Sequence, residues 1–168
     1  MDSKAFQAAI NFVLSQEGGY VNDPRDPGGE TNFGISKRTY PNVDIKNLTR
    51  NKAEKIYYED YWLKLGCGEL PAPVATITFG SAVNCGRGRA AKWLQKALRQ
   101  LGKDITVDGD VGPWTLHAAN EADCTDLCLL LVRERILHYT KLGRRQPQYL
   151  RGWLNRVAEL LKLVTTIN

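Results

Sequence analysis

Apolar residues recur at helical spacing near the N-terminus of the chain. Positions i, i+4, i+7 and i+8 are apolar, which predicts an amphipathic helix over residues 3–16. These positions are Phe6, Ile10, Val13 and Leu14. Glu17 continues the same stripe, where an ionised carboxylate is costly unless it has a use. Gly18 and Gly19 follow directly and are expected to end the helix.

The segment from Gly18 to Gly34 is rich in Gly, Pro, Asn and Asp. Such a composition predicts an irregular loop that is ordered by turns and has room for a short hairpin. Glu17 is therefore expected to lie where a buried helix face meets a polar loop.

The rest of the chain predicts further helices. Thr49 is a suitable N-cap, and a β-branched segment that begins at Pro71 is predicted as helix although its composition would also permit a strand. The predicted fold class is mainly α: a helical bundle with an irregular N-terminal active-site loop or short hairpin. The later helices are expected over about 90–101, from Pro113, and over about 126–142 and 147–167.

Composition places the chain among soluble globular proteins. It has 168 residues, 43% of them apolar, and a net charge of +5, enough for one compact domain or two small lobes. Lys and Arg are spread along the chain, apart from a cluster at Lys141, Arg144 and Arg145. We therefore expect no nucleic-acid partner and interpret the excess charge as suited to an acidic polymer or surface.

Targeting signals are not evident. The N-terminus begins an amphipathic helix rather than a signal peptide, and no apolar run approaches the roughly 20 residues of a membrane span. We expect synthesis in the cytoplasm and no stable membrane insertion.

The four cysteines are Cys67, Cys85, Cys124 and Cys128. Their spacing contains no Cys-x-x-Cys pair, so buried free thiols are the favoured interpretation. A zinc site near Cys124 and Cys128, with His117 and His138, is an alternative, and a disulfide in an oxidising compartment is another. We expect no metal and no cofactor.

Three residues suggest acid–base chemistry in the loop. Asp26 follows Glu17 by nine positions and Thr31 follows Asp26 by five. Cleavage of a glycosidic bond needs a protonated carboxyl group for the leaving oxygen and an ionised group that activates water or stabilises the oxocarbenium ion. An apolar wall raises the pKa of Glu17 for the first role, a solvated loop keeps Asp26 ionised for the second, and the Thr31 hydroxyl can hold the water.

Structural interpretations stand beside these. Glu17 can neutralise Arg25 or Arg38, and Asp23 and Asp26 adjoin prolines, where Asp stabilises turns. The combination of apolar stripe, double glycine, aspartate and threonine favours catalysis.

The loop motif resembles glycoside hydrolase family 108, the phage and bacterial muramidases that cut peptidoglycan. The most specific part is Glu17–Pro24, with the sequence EGGYVNDP. The resemblance continues through Asp26-Pro27-Gly28-Gly29, Thr31-x-x-Gly34-Ile35, Ile56-Tyr57, Tyr61-Trp62, Ala82-Val83-Asn84, Arg89-Ala90-x-x-Trp93-Leu94-Gln95 and Gly152-Trp153-Leu154-Asn155-Arg156.

This resemblance implies a lysozyme-like α+β fold, with Glu17 as the catalytic acid. The order Glu, Asp, Thr is also similar to that of T-even phage lysozymes, in which the gap from Asp to Thr is one residue longer. The run Asp108–Thr115 resembles the turn of peptidoglycan-binding domains. Residues 1–88 are therefore expected to form the muramidase region and 89–168 a helical peptidoglycan-binding region, packed into one globular unit.

Further residues are candidates for sugar contacts. Tyr20, Tyr61 and Trp62 can stack on sugar rings or belong to the core, and Asp23 and Asn84 are additional substrate-binding candidates. One departure concerns the second wall of the site. We expect many relatives to carry an acidic residue just before Ala-Val-Asn, where this chain has Gly80-Ser81.

The resemblance implies an N-acetylmuramidase that cleaves the β-1,4 bond between N-acetylmuramic acid and N-acetylglucosamine. The expected setting is a monomeric endolysin that waits in the cytoplasm for a phage holin, or is exported by a secretion machine, and then acts on the periplasmic cell wall. Three alternatives remain open: a non-catalytic peptidoglycan-binding protein, an interbacterial muramidase toxin, and a lytic transglycosylase.

Overall fold

The structure, a computed structural model, describes residues 4–22 and 29–166. Asp23 and Asp26 therefore lie outside the described residues. The fold is mainly α, as predicted, with one two-stranded antiparallel sheet. Its elements are α1 (Lys4–Gln16), β1 (Thr31–Asn32), β2 (Ile35–Ser36), α2 (Arg50–Tyr57), α3 (Ala72–Cys85), α4 (Arg87–Gln100), α5 (Pro113–Glu121), α6 (Cys124–Gly143) and α7 (Pro147–Val164).

Local sequence signals account for where these helices begin. The Thr49 hydroxyl caps α2 by accepting from the backbone N–H of Lys52 at 3.4 Å, as predicted, and Asp123 caps α6 in the same way. After α2 the chain continues as one π turn, Tyr58–Trp62, and two short 3-10 segments. Gly66, at φ 58°, ends the first 3-10 segment in the left-handed region.

Helix α3 lies at the centre of the molecule. Nearly every residue from Val74 to Ala82 is buried, and the helix packs against α1, α4, α6 and α7. Phe79 meets Phe6 of α1 and Trp62 edge to face, with centroid distances of 6.0 and 5.5 Å. A helix that is covered on all sides has no polar face, so apolar and β-branched residues occur around its whole circumference. The sequence then lacks a helical period, and its β-branched composition is also compatible with a strand.

A buried arginine faces the position at which we expected an acid in relatives. Arg135 of α6 is 0% exposed, and its Nη1 and Nη2 have no hydrogen-bond partner among the described residues. A Cβ at Gly80 would lie 3.7 Å from Nη1. Because glycine has no side chain, this position offers the guanidinium no carboxylate with which to pair.

The predicted short hairpin is present. Its turn is formed by Phe33 and Gly34, with φ values of 51° and 75°, and turns with two positive φ angles match the twist of paired strands. Asn32 is buried, and its amide donates to the carbonyl oxygen of Ile45 at 3.1 Å. The backbone of Val21 pairs with Thr31 at 2.8 and 2.9 Å, which fixes the loop onto the hairpin.

All four cysteines carry free thiols; Cys67 and Cys128 are buried and the others are half-buried. Burial, together with Cys124, raises the pKa of the Cys128 thiol to about 12. Within residues 4–22 and 29–166, no group of three or more His, Cys, Asp or Glu side chains is arranged to hold a metal ion. Among the same residues, no helix combines the length and apolarity that a membrane crossing needs.

Candidate active site

Glu17 lies directly after α1 at the end of a buried helix face. The stripe residues Phe6, Ile10, Val13 and Leu14 are all buried, and the glutamate itself is half-buried. Burial raises the pKa of its carboxyl group, while the positive charge of Arg156 acts in the opposite direction. A carboxylic acid that desolvation keeps protonated is the form that a general acid requires.

The hairpin turn forms one wall around this carboxyl group. A Cβ at Gly34 would lie 2.8 Å from Cδ of Glu17 and 2.7 Å from the hydroxyl oxygen of Tyr57. Real Cβ atoms do not approach other atoms so closely, and the positive φ of Gly34 also disfavours a side chain. Glycine is therefore required here because the turn touches the carboxyl group.

Tyr57 of α2 forms a second wall. Its ring is buried, and its hydroxyl donates to the carbonyl oxygen of Phe33 at 2.9 Å. Desolvation and then the charge of Glu17 raise the pKa of Tyr57, so the phenol stays protonated. Since its single hydrogen is used on Phe33, the Tyr57 hydroxyl has no hydrogen left to donate to an ionised Glu17.

A third wall comes from α7 and α3. Nη1 of Arg156 donates to Oδ1 of Asn84 at 3.1 Å, and Nδ2 of Asn84 donates to the carbonyl oxygen of Gly80 at 2.8 Å. Asn84, predicted as a sugar contact, thus holds the guanidinium whose charge acts on Glu17. The structure brings together three residues that lie far apart in the sequence.

The other predicted site residues differ in exposure and in their partners. Thr31 begins the hairpin, and its hydroxyl donates to the carbonyl oxygen of Gly29 at 3.4 Å. Tyr20 is 40% exposed, and its hydroxyl donates to Glu30 at 3.2 Å. Tyr61 is half-buried beside Tyr57. The structure places Trp62 in the core at 2% exposure, which leaves no face of the indole open to a sugar.

Comparison with known proteins identifies the family of the chain. Residues 10–86 match the family Glycosyl hydrolase 108, and residues 89–158 match the family Predicted Peptidoglycan domain. A solved structure titled "Structure of Brucella abortus SagA" is 34% identical, with a TM-score of 0.83, over 96% of this chain and 94% of that chain. The chain belongs to the glycosyl hydrolase 108 family. No curated protein matches it.

The family resemblance that the sequence motifs predicted is thereby confirmed. This glycosyl hydrolase 108 protein is a glycoside hydrolase, and its two matched regions together make it a peptidoglycan hydrolase.

The second region of the hydrolase contains the predicted Asp-Gly turn. Nε2 of Gln95 donates to Oδ1 of Asp108 at 2.7 Å and to the carbonyl oxygen of Asp110 at 2.8 Å, and the N–H of Gly109 donates to Oε1 of Gln95 at 2.8 Å. The turn is thus fastened to α4. Beside it, Trp114 is 81% exposed at the edge of a groove of about 590 Å³.

Three residues that interact with Glu17 occur in the sequence motifs, but the sequence alone gave no reason to assign them a role. Gly34, Tyr57 and Arg156 all fall within the motifs that carried the resemblance. Their interactions with Glu17 join the hairpin, α2 and α7, and no spacing rule along the chain links such distant segments. The sequence signal that could have identified these residues is their presence in the motifs that carry the family resemblance.

Proposed function

We propose that this hydrolase is an N-acetylmuramidase that cleaves the β-1,4 bond between N-acetylmuramic acid and N-acetylglucosamine, with Glu17 as the general acid. The observation that carries the proposal is the half-buried Glu17 carboxyl group, whose raised pKa results from burial. It lies in contact with a hairpin turn that has no side chain.

The surroundings of Glu17 suit both halves of a proton transfer. Before the transfer, desolvation favours the protonated acid, which gives its proton to the glycosidic oxygen. After the transfer, Glu17 is an anion, and the positive charge of Arg156 stabilises it. The glycosidic C–O bond breaks as the leaving oxygen gains the proton, and positive charge develops on the sugar ring.

The second carboxyl group is assigned to Asp26, with Thr31 holding the attacking water. Thr31 lies on the hairpin whose turn touches Glu17, which supports a position near the acid. The anomeric configuration of the first product, followed by proton NMR, tests this assignment. It distinguishes water attack opposite the acid from a covalent route.

The second region is proposed to hold the glycan strand while the first cuts it. An indole as exposed as Trp114 offers a flat apolar face beside a groove lined by Asp104, Asp108 and Asp110. Sugar rings combine apolar faces with hydroxyl groups, and such a platform with carboxylate acceptors suits both.

The proposed biological role is host lysis by a phage or prophage, with release from the cytoplasm through a holin and action as a monomer on the periplasmic wall. Expression in Gram-negative cells with and without a holin tests the route. Lysis that depends on the holin supports an endolysin, whereas toxicity that an immunity protein suppresses supports the toxin alternative.

The experiment that tests the enzymatic proposal is Glu17→Gln assayed on purified sacculi. Reducing-end release should fall about 10²- to 10⁴-fold, the usual contribution of a general acid, while circular dichroism stays unchanged. Mass spectrometry of the muropeptides released by the unmodified protein should show hydrolysed, reducing N-acetylmuramic acid ends. Terminal 1,6-anhydro products would indicate a transglycosylase, and binding without release would indicate a purely binding protein.

A further inference from the structure

A small cavity lies beside the Asn84–Arg156 pair. It is open to solvent, has a volume of about 300 Å³ and is formed where the end of α3, the start of α4, α6 and α7 meet. Its polar lining includes Asn84, Arg89, His138, Tyr139 and Arg156. Because Asn84 and Arg156 belong both to this cavity and to the surroundings of Glu17, the cavity adjoins the proposed catalytic centre.

The cavity is electropositive. Arg89 and Arg156 both line it, and no carboxylate is among its lining residues. Neither arginine forms an ion pair with a residue in 4–22 or 29–166. Desolvation, and then the charges of Arg89 and Lys141, lower the pKa of His138, which shows that this imidazole lies in a positive field.

The buried Arg135 adds a further positive charge next to the cavity. Its Nε donates to the hydroxyl oxygen of Tyr139 at 3.3 Å, and its guanidinium lies 5.5 Å from the centre of that ring. The thiol of Cys85 also donates to the Tyr139 hydroxyl, at 3.8 Å. Because a guanidinium can only donate, the oxygen accepts from Arg135 and keeps its own hydrogen to donate.

We propose that this cavity binds a carboxylate of the peptidoglycan stem peptide, next to the sugar bond that Glu17 cleaves. The inference rests on the proposed muramidase function. Two guanidinium groups and a phenol hydroxyl supply donors that match a carboxylate. The stem peptide starts from the lactyl group of N-acetylmuramic acid, so its carboxylates lie within a few residues of the scissile bond.

The test compares Arg89→Ala with the unmodified hydrolase on defined glycan–peptide fragments that differ only in whether the stem carboxylates are free or amidated. The unmodified protein should cleave the free-carboxylate fragment with a kcat/KM about tenfold higher, the usual effect of one charge-assisted hydrogen bond. Arg89→Ala should lose this preference through KM, and Arg89→Lys should keep part of it.

Arg99→Ala is the matched control. Arg99 lies on the same helix, is exposed, and does not line the cavity, so its removal should leave the preference intact. A second variant changes a residue that does not line the cavity. Gly80→Asp places a carboxylate next to Arg135. It should reduce the preference for the free-carboxylate fragment about threefold, because it partly neutralises the positive charge of Arg135. Gly80→Asn should not.

The outcomes separate this inference from the muramidase proposal. Equal cleavage of both fragments by the unmodified hydrolase would overturn the stem-carboxylate site alone, whereas no cleavage of either would overturn the muramidase. Peptide-free strands, whose lactyl carboxylates are free, provide the last arm. Arg89→Ala should cleave them as well as the unmodified protein, and an equal loss there would assign the cavity to the lactyl group instead.

Discussion

The two glycine-rich turns of this hydrolase look alike in sequence but use their polar groups differently. In the turn after α4, the Asp108 carboxylate accepts from Gln95 and from the N–H of Asp110, which lowers its pKa. In the loop after α1, no described residue donates a hydrogen bond to the Glu17 carboxyl group, and burial raises its pKa.

This contrast separates a structural acid from the proposed catalytic one. Hydrogen bonds to the ionised form stabilise a carboxylate and make it a poor proton donor, whereas desolvation without such bonds favours the neutral acid. Asp108 therefore holds a turn in place, and Glu17 remains available for chemistry.

The largest expected effect is on the catalytic side. Gly34→Ala should lower kcat/KM on sacculi about 100-fold, because the new Cβ would displace Glu17 and Tyr57 by a distance that matters for proton transfer. Stability should fall by about 1–3 kcal/mol, since alanine disfavours the positive φ. Gly18→Ala is the control, because a Cβ there meets no atom within 4 Å. Normal activity of Gly34→Ala would contradict the contact.

On the structural side, Gln95→Leu removes three hydrogen bonds that fasten the second turn to α4. The free energy of unfolding should fall by about 1–3 kcal/mol, measured by urea titration. The pH dependence of hydrolysis should remain that of the unmodified protein. Gln100→Leu, at the exposed end of the same helix, should change stability much less. A shifted pH profile in Gln95→Leu would show that the two turns are not independent.

A smaller effect links the reactive acid to stability. Because burial raises the folded-state pKa of Glu17 above its ordinary value of 4.5, the protein loses stability as pH rises from that value through the raised one. Glu17→Gln carries no such cost. Its stability relative to the unmodified protein should therefore be lowest below pH 4.5 and should increase toward neutral pH, measured by thermal unfolding across pH. A difference that does not change with pH would contradict the desolvated acid.

The smallest effect concerns glycan binding by the second region. Trp114→Ala should weaken binding to sacculi about three- to tenfold, as expected for loss of one aromatic contact, without changing the turnover of short soluble fragments. Leu137→Ala, which also removes an exposed apolar side chain, is the control. Equal binding by both variants would remove Trp114 from the contact surface.

Much of the fold was predictable because its signals are local. The α1 stripe, the Thr49 cap and the proline at the start of α5 each act within a few residues, and the structure confirms all three. The segment from Pro71 was harder, since burial on every side removes the amphipathic period that distinguishes a helix from a strand.

The site was predictable only in part. Glu17 could be identified from the sequence because a carboxyl group at the end of an apolar stripe is a local anomaly. The groups around it are Gly34, Tyr57 and Arg156, which tertiary packing brings together from the hairpin, α2 and α7. The absence of a carboxylate next to Arg135 could not be predicted either, because the sequence does not show that Gly80 of α3 packs against Arg135 of α6.

The most direct test of the account is a titration of the Glu17 carboxyl carbon by NMR, with Glu17→Gln used to assign the signal. The account predicts that this group titrates clearly above its ordinary pKa of 4.5 and that Arg156→Met raises the value further, because a stabilising positive charge is lost. A Glu17 carboxyl group that titrates at or below its ordinary value would contradict the account.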